Sequence, residues 1–472
     1  MKMRNTSVGF KVFLVILVAA MNSHGLTVDQ YLEQAKQKNQ LLKAYDESIQ
    51  AARLKAHSSE IDLSPLLTAG YLSSSDQSKP SQLGLKRDAQ LYSLGIAKKF
   101  TTGTALKLEA QTGQFNNSNS AIPGYDKYAT GSVALTLQQS LWKDFFGEGT
   151  RIKINRVQKA AQLEQYGAEL QARLALYDVE ANFLDYALAF EDYKLKKANL
   201  ERAQKIDKWT TNRVNNGISD RADLMNARAL VALREAQMLN AEEELKSQEN
   251  KLRDNLKLSA EEKTPEIQAD LNAERPYLNQ LKQSDRVQKI ESYLASLEAD
   301  VKSLIAAETN DSLKPDLSLF GTYATTSYNR EYSNAVSDIT KDDFPKNSIG
   351  VNFSWVFDTN AKSSLRDSAQ KDALSAQLKS EKKIADGNTA WLELKRKYDV
   401  LKKSVATLDK VAQFQRERAR AEQDKLSKGR TVTANVVTAE TEAAEAEVTL
   451  LKTKAQLRKL ETSSLFFIEI QE

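Results

Sequence analysis

Two histidines, His24 and His57, no cysteine and 63 acidic residues are the whole stock from which this chain could build a metal centre, an activated nucleophile or a general base. A zinc site or a histidine-based triad needs imidazoles or thiolates converging from several positions, and two histidines cannot supply them. His57 stands among polar neighbours in a helical stretch and reads as a solvated surface side chain. The acids are scattered among lysines and arginines, with no nucleophile elbow, phosphate loop, metal-ligand spacing or paired-acid arrangement. No catalytic residue, metal ligand or cofactor is therefore assigned. What the chain offers is a segment used twice, NNGISDRADLMNA from Asn215 and SKGRTVTANVVTA from Ser427. Each sets a glycine, then a hydroxyl residue, then a polar residue at matching positions. These are Gly217, Ser219 and Asp223 in one half, and Gly429, Thr431 and Asn435, followed by Thr438, in the other.

The elements that carry these segments are long helices. All seven prolines, at 65, 80, 123, 265, 276, 315 and 345, lie outside two tracts rich in Ala, Leu, Glu, Lys, Gln and Arg, the best helix formers. From Arg151 to Asn216 and from Lys362 to Lys428 run 66 and 67 residues, each about 100 Å of helix. Both halves share the pattern: a shift of 250 matches Leu63 and Pro65 to Leu313 and Pro315, and a shift of 216 matches Val133, Leu135 and Leu137 to Ile349, Val351 and Phe353. A shift of 212 matches Gly217 and Ser219 to Gly429 and Thr431. An internal two-fold repeat is expected, with about 34 residues inserted in the first half between Pro65 and Val133. Each glycine is placed to end its helix in the left-handed conformation, with Ser219 or Thr431 as cap of the returning helix.

Lys2, Arg4 and Lys11 flank the apolar run Val12 to Ala20, with Ser23 and Gly25 behind it. This predicts a secretory signal peptide over 1–25; a membrane anchor would need about 20 apolar residues. Its removal takes three basic and no acidic residues, lowering the net charge from +4 to about +1, so nucleic acid is not an expected partner.

Extended segments separate the helices. In Ser132 to Trp142, Val133, Leu135, Leu137 and Leu141 share one face, and in Ser348 to Asp358, Ile349, Val351, Phe353, Trp355 and Phe357 do the same. Period two with one apolar face fits a soluble sheet or the wall of a membrane barrel. Seventeen of the 35 aromatic residues fall in 134 of the 472 positions around these strands, which favours the barrel, whose interfaces carry aromatic girdles. Trp142, Tyr323, Trp355 and Phe357 are the expected girdle residues. Polar stretches 116–128 and 327–347 suit external loops. A further strand pair, LYSLGIAKKF and TALKLEAQ, flanks Thr101 to Gly103. The strands of one chain fall short of the roughly eight that the smallest membrane barrels need, so the barrel must be shared between copies.

In the order of these blocks, in the opening LTVDQYLEQAKQKN (Leu26 to Asn39) and in the strand ends SLW and WVFD, the mature chain resembles TolC-like outer membrane efflux proteins. The resemblance implies an α+β membrane protein in which long antiparallel helical hairpins form an α-barrel and strands form a shared β-barrel in a homotrimer. It implies a passive conduit in the outer membrane lipid with a large periplasmic portion. A periplasmic adaptor and an inner-membrane pump or ABC translocator would be its partners, with Gly217, Ser219, Gly429 and Thr431 at adaptor-facing tips. The family's pore-closing carboxylates fall on Asn435 and Thr438, both neutral here, while Asp223 keeps a carboxylate at the matching first-half position. The constriction would then hold Asp223, Asn435 and Thr438 and attract cations weakly. The expected repeats are 26–264, with strands over 65–142, an extra hairpin at 90–112 and a helical hairpin over 150–258, and 265–472, with a helix over 277–310, strands over 315–358 and a helical hairpin over 361–465. A periplasmic adaptor or a coiled-coil structural protein is the alternative.

Overall fold

A computed structural model describes residues 25–76, 86–118, 126–259, 261–268, 270–284, 286–341 and 345–469. The expected signal peptide, except Gly25, and the middle of the first external loop lie outside the described residues. The chain forms two compact units, each assembled from three stretches of sequence.

One unit holds Gln40–Tyr177, Arg275–Val400 and Leu460–Glu472. Its centre is a six-stranded antiparallel sheet of β1 (Leu66–Ser75), β2 (Lys86–Lys99), β3 (Thr104–Ser118), β4 (Lys127–Ser140), β6 (Asp316–Asn329) and β7 (Pro345–Ser354), in that spatial order. The extra strand pair of the sequence is β2 and β3, lying within the sheet between β1 and β4. Thr101 to Gly103 turns it: Gly103 takes φ +72°, and its N–H donates to Phe100 O at 3.1 Å, a short hairpin loop ended by a left-handed glycine.

The helix expected over 277–310 is divided. Pro276 starts α5 (Pro276–Lys282), β5 (Val287–Lys289) follows, and α6 (Ile290–Ser312) comes after it. The break serves a long-range pairing, because β5 joins the C-terminal β8 (Phe467–Glu469). The same unit holds α2 (Gln40–His57), which precedes the sheet. Here α6 approaches the early part of α8 (Thr359–Ser427, 69 residues) closely. Ser292 Oγ donates to Lys383 O at 2.6 Å, and a Cβ on Gly387 would stand 2.3 Å from that hydroxyl, so this mid-helix glycine is a contact requirement. The 68-residue α3 (Glu148–Asn215) also begins here.

The other unit holds Met1–Asn39, Asp178–Glu274 and Leu401–Lys459. Thr27 and Gln30 form a reciprocal capping box that starts α1 (Val28–Lys38), satisfying two otherwise unpaired N–H groups. Tyr31 of α1 is buried against Phe183, ring centroids 5.2 Å apart, and accepts from Asn255 Nδ2 at 2.9 Å. Asn255 ends α4 (Arg221–Asn255). The later part of α8 packs on α9 (Thr433–Thr462) through the fully buried Ala419, Ala439 and Ala443, whose small side chains bring helix backbones close.

Candidate functional site

Register fixes which side chains of the sheet share a face, because directly paired residues point the same way. Leu67, Ile96, Leu108, Leu135 and Tyr323 form one row across five strands. The neighbouring rows of that face bring Leu94, Ala110 and Val133 together, and Leu106, Leu137, Gly321 and Ile349. This apolar face is uncovered over much of its area: Leu137 is 52% exposed and Ile349 80%. The opposite face carries Lys107, Glu109, Thr136, Gln138, Ser318, Thr322 and Asn352. Its polar groups partner one another: Lys107 Nζ to Glu109 Oε2 at 2.8 Å, Thr136 to Thr322 at 3.0 Å, Gln138 Nε2 to Ser318 Oγ at 3.0 Å. An exposed apolar face behind a satisfied polar one is the reverse of a soluble core.

Past β6 the second polar connection folds back. In α7 (Tyr332–Ser337) and the turn after it, Ala335 and Ile339 are buried. Ile339 covers Gly131, and Thr325 Oγ1 donates to Ile339 O at 2.8 Å. Gly131 and Thr325 lie on the apolar face, so this segment covers that face toward its loop end; residues 342–344 of the connection lie outside the described residues.

Of the expected girdle, Trp142 lies just past the end of β4, and Trp355 and Phe357 lie just past the end of β7, with their rings 4.5 Å apart. All three stand where the sheet passes into the long helices, and exposed Phe145 and Phe146 join them there. Tyr323 does not share that level, being mid-strand opposite Leu135. Period two assigns its face and not its depth. Toward the loop end, Tyr71 and Tyr92 pack with ring centroids 5.0 Å apart; the strands containing them were legible in sequence, but their level depends on register.

In the other unit both helical hairpins reverse by one device. Gly217 has φ +73° and Gly429 φ +71°. Gly217 N–H donates to Val214 O at 2.9 Å and Ile218 N–H to Arg213 O at 2.8 Å. Gly429 N–H donates to Leu426 O at 3.0 Å and Arg430 N–H to Lys425 O at 2.8 Å. This paired bonding closes off helix carbonyls and needs a left-handed residue, which glycine supplies without a Cβ penalty.

The capping role expected of the hydroxyls is not what they do. Asp220 is the N-cap of α4 and makes no side-chain cap bond. Ser219 Oγ instead donates to Asp223 Oδ2 at 2.6 Å. Thr431 Oγ1 donates to Glu422 Oε2 at 3.1 Å and accepts from Asn435 Nδ2 at 3.0 Å. One residue of extra turn puts each hydroxyl beside a side chain four positions later, out of reach of the helix N–H groups. The structure thus brings Ser219 to Asp223 and Thr431 to Asn435. Asp223 is half-buried, while Asn435 and Thr438 are exposed, Thr438 Oγ1 donating to Ala434 O at 3.0 Å.

Sequence reasoning missed the groups that join the two hairpins. Arg213 lies over the Trp209 ring at 5.0 Å and donates from Nη1 to Leu426 O at 3.2 Å. Ala203, Ile206, Ala227, Leu230, Leu426 and Val436 form the buried cluster beside it. Further along, Arg416 donates to Glu447 Oε1 at 2.8 Å and to Glu440 Oε2 at 2.7 Å, and Arg202 adds a contact to Glu440 at 3.4 Å. Burial works against the Arg416 charge, but the two carboxylates overcome it and hold its pKa above the ordinary value. For Arg202, burial and the Arg416 charge both act against ionisation, and its pKa is lowered. Nothing in the sequence singles these residues out from the other charges of the helices.

Among the described residues no helix is long and apolar enough to cross a membrane, and no group of three or more metal-ligating side chains is placed to hold an ion.

No family model and no curated protein matches the chain. Solved structures match it along nearly its whole length. CusC, reported for its folding and transmembrane channel formation, aligns with a TM-score of 0.61 at 14% identity, covering 96% of this chain and 95% of that one. The outer membrane protein VceC from Vibrio cholerae aligns with 0.63 at 14% identity over 93% and 95%. The open state of the MtrE outer membrane channel of Neisseria gonorrhoeae aligns with 0.60 at 13% identity over 95% and 92%. At these identities the likeness is one of fold, and the fold is that of the TolC-type outer membrane channels.

Proposed function

We propose that this chain, having that fold, is an outer membrane exit channel: a passive conduit of a tripartite efflux or type I secretion system, catalysing no reaction. The observation that carries this reading is the six-stranded sheet with one exposed apolar face and one hydrogen-bonded polar face. Only lipid on one side and water on the other suits both faces at once. Its long strands run 14 or 15 residues, more than the roughly 9 to 11 that cross a bilayer.

Three copies would pool their strands in one barrel, and their long helices would form a tube through the periplasm, with the two halves of each chain as duplicated segments. The turns at Gly217, Ser219, Gly429 and Thr431 would face a periplasmic adaptor, which connects the tube to an inner-membrane pump or ABC translocator. Asp223, Asn435 and Thr438 would line the constriction, and Trp142, Trp355 and Phe357 would anchor the barrel at its periplasmic interface. Small molecules or polypeptides would be the cargo.

Cell fractionation tests the placement. The chain should stay with outer membranes through carbonate extraction and require detergent for release. Recovery in the soluble periplasmic fraction would support an adaptor or a coiled-coil structural protein instead.

A further inference from the structure

The sheet ends in two open edges. Among the described residues β1 pairs only with β2 and β7 only with β6. Both edge strands are 10 residues long, every residue of β1 is exposed, and so is every residue of β7 except Gly350. Unpaired backbone groups along such edges seek another strand, and in lipid no water can satisfy them. The six strands of this sheet among the described residues are fewer than the roughly eight of the smallest membrane barrels, so one chain's sheet cannot close on itself.

The edges suit each other. All neighbours in the sheet are antiparallel, so β1 and β7 run in opposite directions. Their contact between two copies would therefore be antiparallel as well. Leu67, Ala69 and Tyr71 on β1 share the face of Ile349, Val351 and Phe353 on β7, so pairing would continue the apolar belt without a break. The β2–β3 hairpin, the product of the first-half insertion, carries both faces in register with β1 and β4. Its Ile96, Leu106 and Leu108 are exposed on the apolar side, and Lys107 and Glu109 lie on the polar side.

We infer that the β2–β3 hairpin is a segment of the barrel wall, that β1 of one copy pairs with β7 of the next, and that three copies close an eighteen-stranded barrel. This rests on the trimeric channel reading above. Barrels of about 16 to 18 strands enclose an aqueous channel. The membrane portion would then be an open aqueous channel, and the narrowest point would fall at the helix turns.

The chain has no cysteine, so introduced pairs report without background. Ala69→Cys is combined in turn with Asn347→Cys, Ile349→Cys and Val351→Cys, a ladder of registers on one face, and each purified membrane assembly is oxidised. At least one pair should link copies into covalent dimers and trimers. Ala69→Cys with Val133→Cys should not link, because three strand spacings separate them by about 14 Å and a disulfide needs less than about 7 Å. A membrane trimer that links Ala69 to Val133 within one chain would place the hairpin outside the wall, overturning this inference and leaving the channel reading intact. A soluble monomer would overturn both. Amide exchange on the unsubstituted assembly tests the pairing independently: β1 and β7 amides should be protected, and rapid exchange along both would contradict it.

Discussion

Ser219 Oγ lies 2.6 Å from Asp223 Oδ2 and donates to it, and at the matching positions of the second half Asn435 Nδ2 lies 3.0 Å from Thr431 Oγ1. The same contact is built once with a carboxylate and once with an amide. In the proposed constriction only the first brings charge, one per copy.

Divalent cations should therefore block the channel weakly, through Asp223 alone. Single-channel conductance measured with and without millimolar divalent cation should show a modest fall, and Asp223→Asn should abolish it. Asn435→Asp should strengthen the block by adding a second carboxylate. Block unchanged in Asp223→Asn would remove this residue from the pore.

A methyl group added at Gly217 would meet nothing within 4 Å, so the requirement for glycine there is conformational. Gly217→Ala should cost about 1 kcal/mol through its left-handed backbone alone, seen as a lower midpoint in denaturant unfolding. The β-branched Gly217→Val and Gly429→Val should cost more, loosen the turns and increase leakage. Antibiotic exclusion by cells carrying either variant reports this, and an unchanged profile would count against a gating role.

Arg416→Met would leave Glu440 and Glu447, mostly buried with it, with only the longer contacts to Arg202. Removing one partner of such a group costs about 3 to 5 kcal/mol. Arg418→Met, losing an exposed contact to Glu442, should cost no more than about 1 kcal/mol. Thermal unfolding of the two variants side by side checks the contrast.

Burial pushes the Tyr31 phenol up to about 12, outweighing the hydrogen bond from Asn255. The folded state thus favours the neutral form. The associated stability is complete below about pH 10 and is lost as pH rises from there through 12, amounting to about 3 kcal/mol. Tyr31→Phe cannot ionise, so its unfolding midpoint should fall less steeply with pH over that window.

Much of the sheet was legible because period two is a local signal. The drop in shift from 250 to 216 pointed to about 34 extra residues between Pro65 and Val133, the stretch that holds β2 and β3, and the same alternation in TALKLEAQ set Leu106 and Leu108 against Lys107 and Glu109. The glycine turns were legible because a left-handed residue leaves its mark in residue type. Other features depend on partners far along the chain. The division of the helix expected over 277–310 follows from pairing with β8, Gly387 answers to Ser292 on another helix, and Arg213 meets Leu426. Ser219 and Thr431 had the right residue types for caps, but Asp220 shows that the spacing of the turn decides which residue occupies that position.

Planar-bilayer recording of the purified full chain asks whether it forms a water-filled path through a lipid bilayer. Insertion should give discrete conductance steps of one size, produced by an assembly whose native mass is that of a trimer. A protein that stays soluble without detergent and produces no steps at any concentration would not be an outer membrane channel.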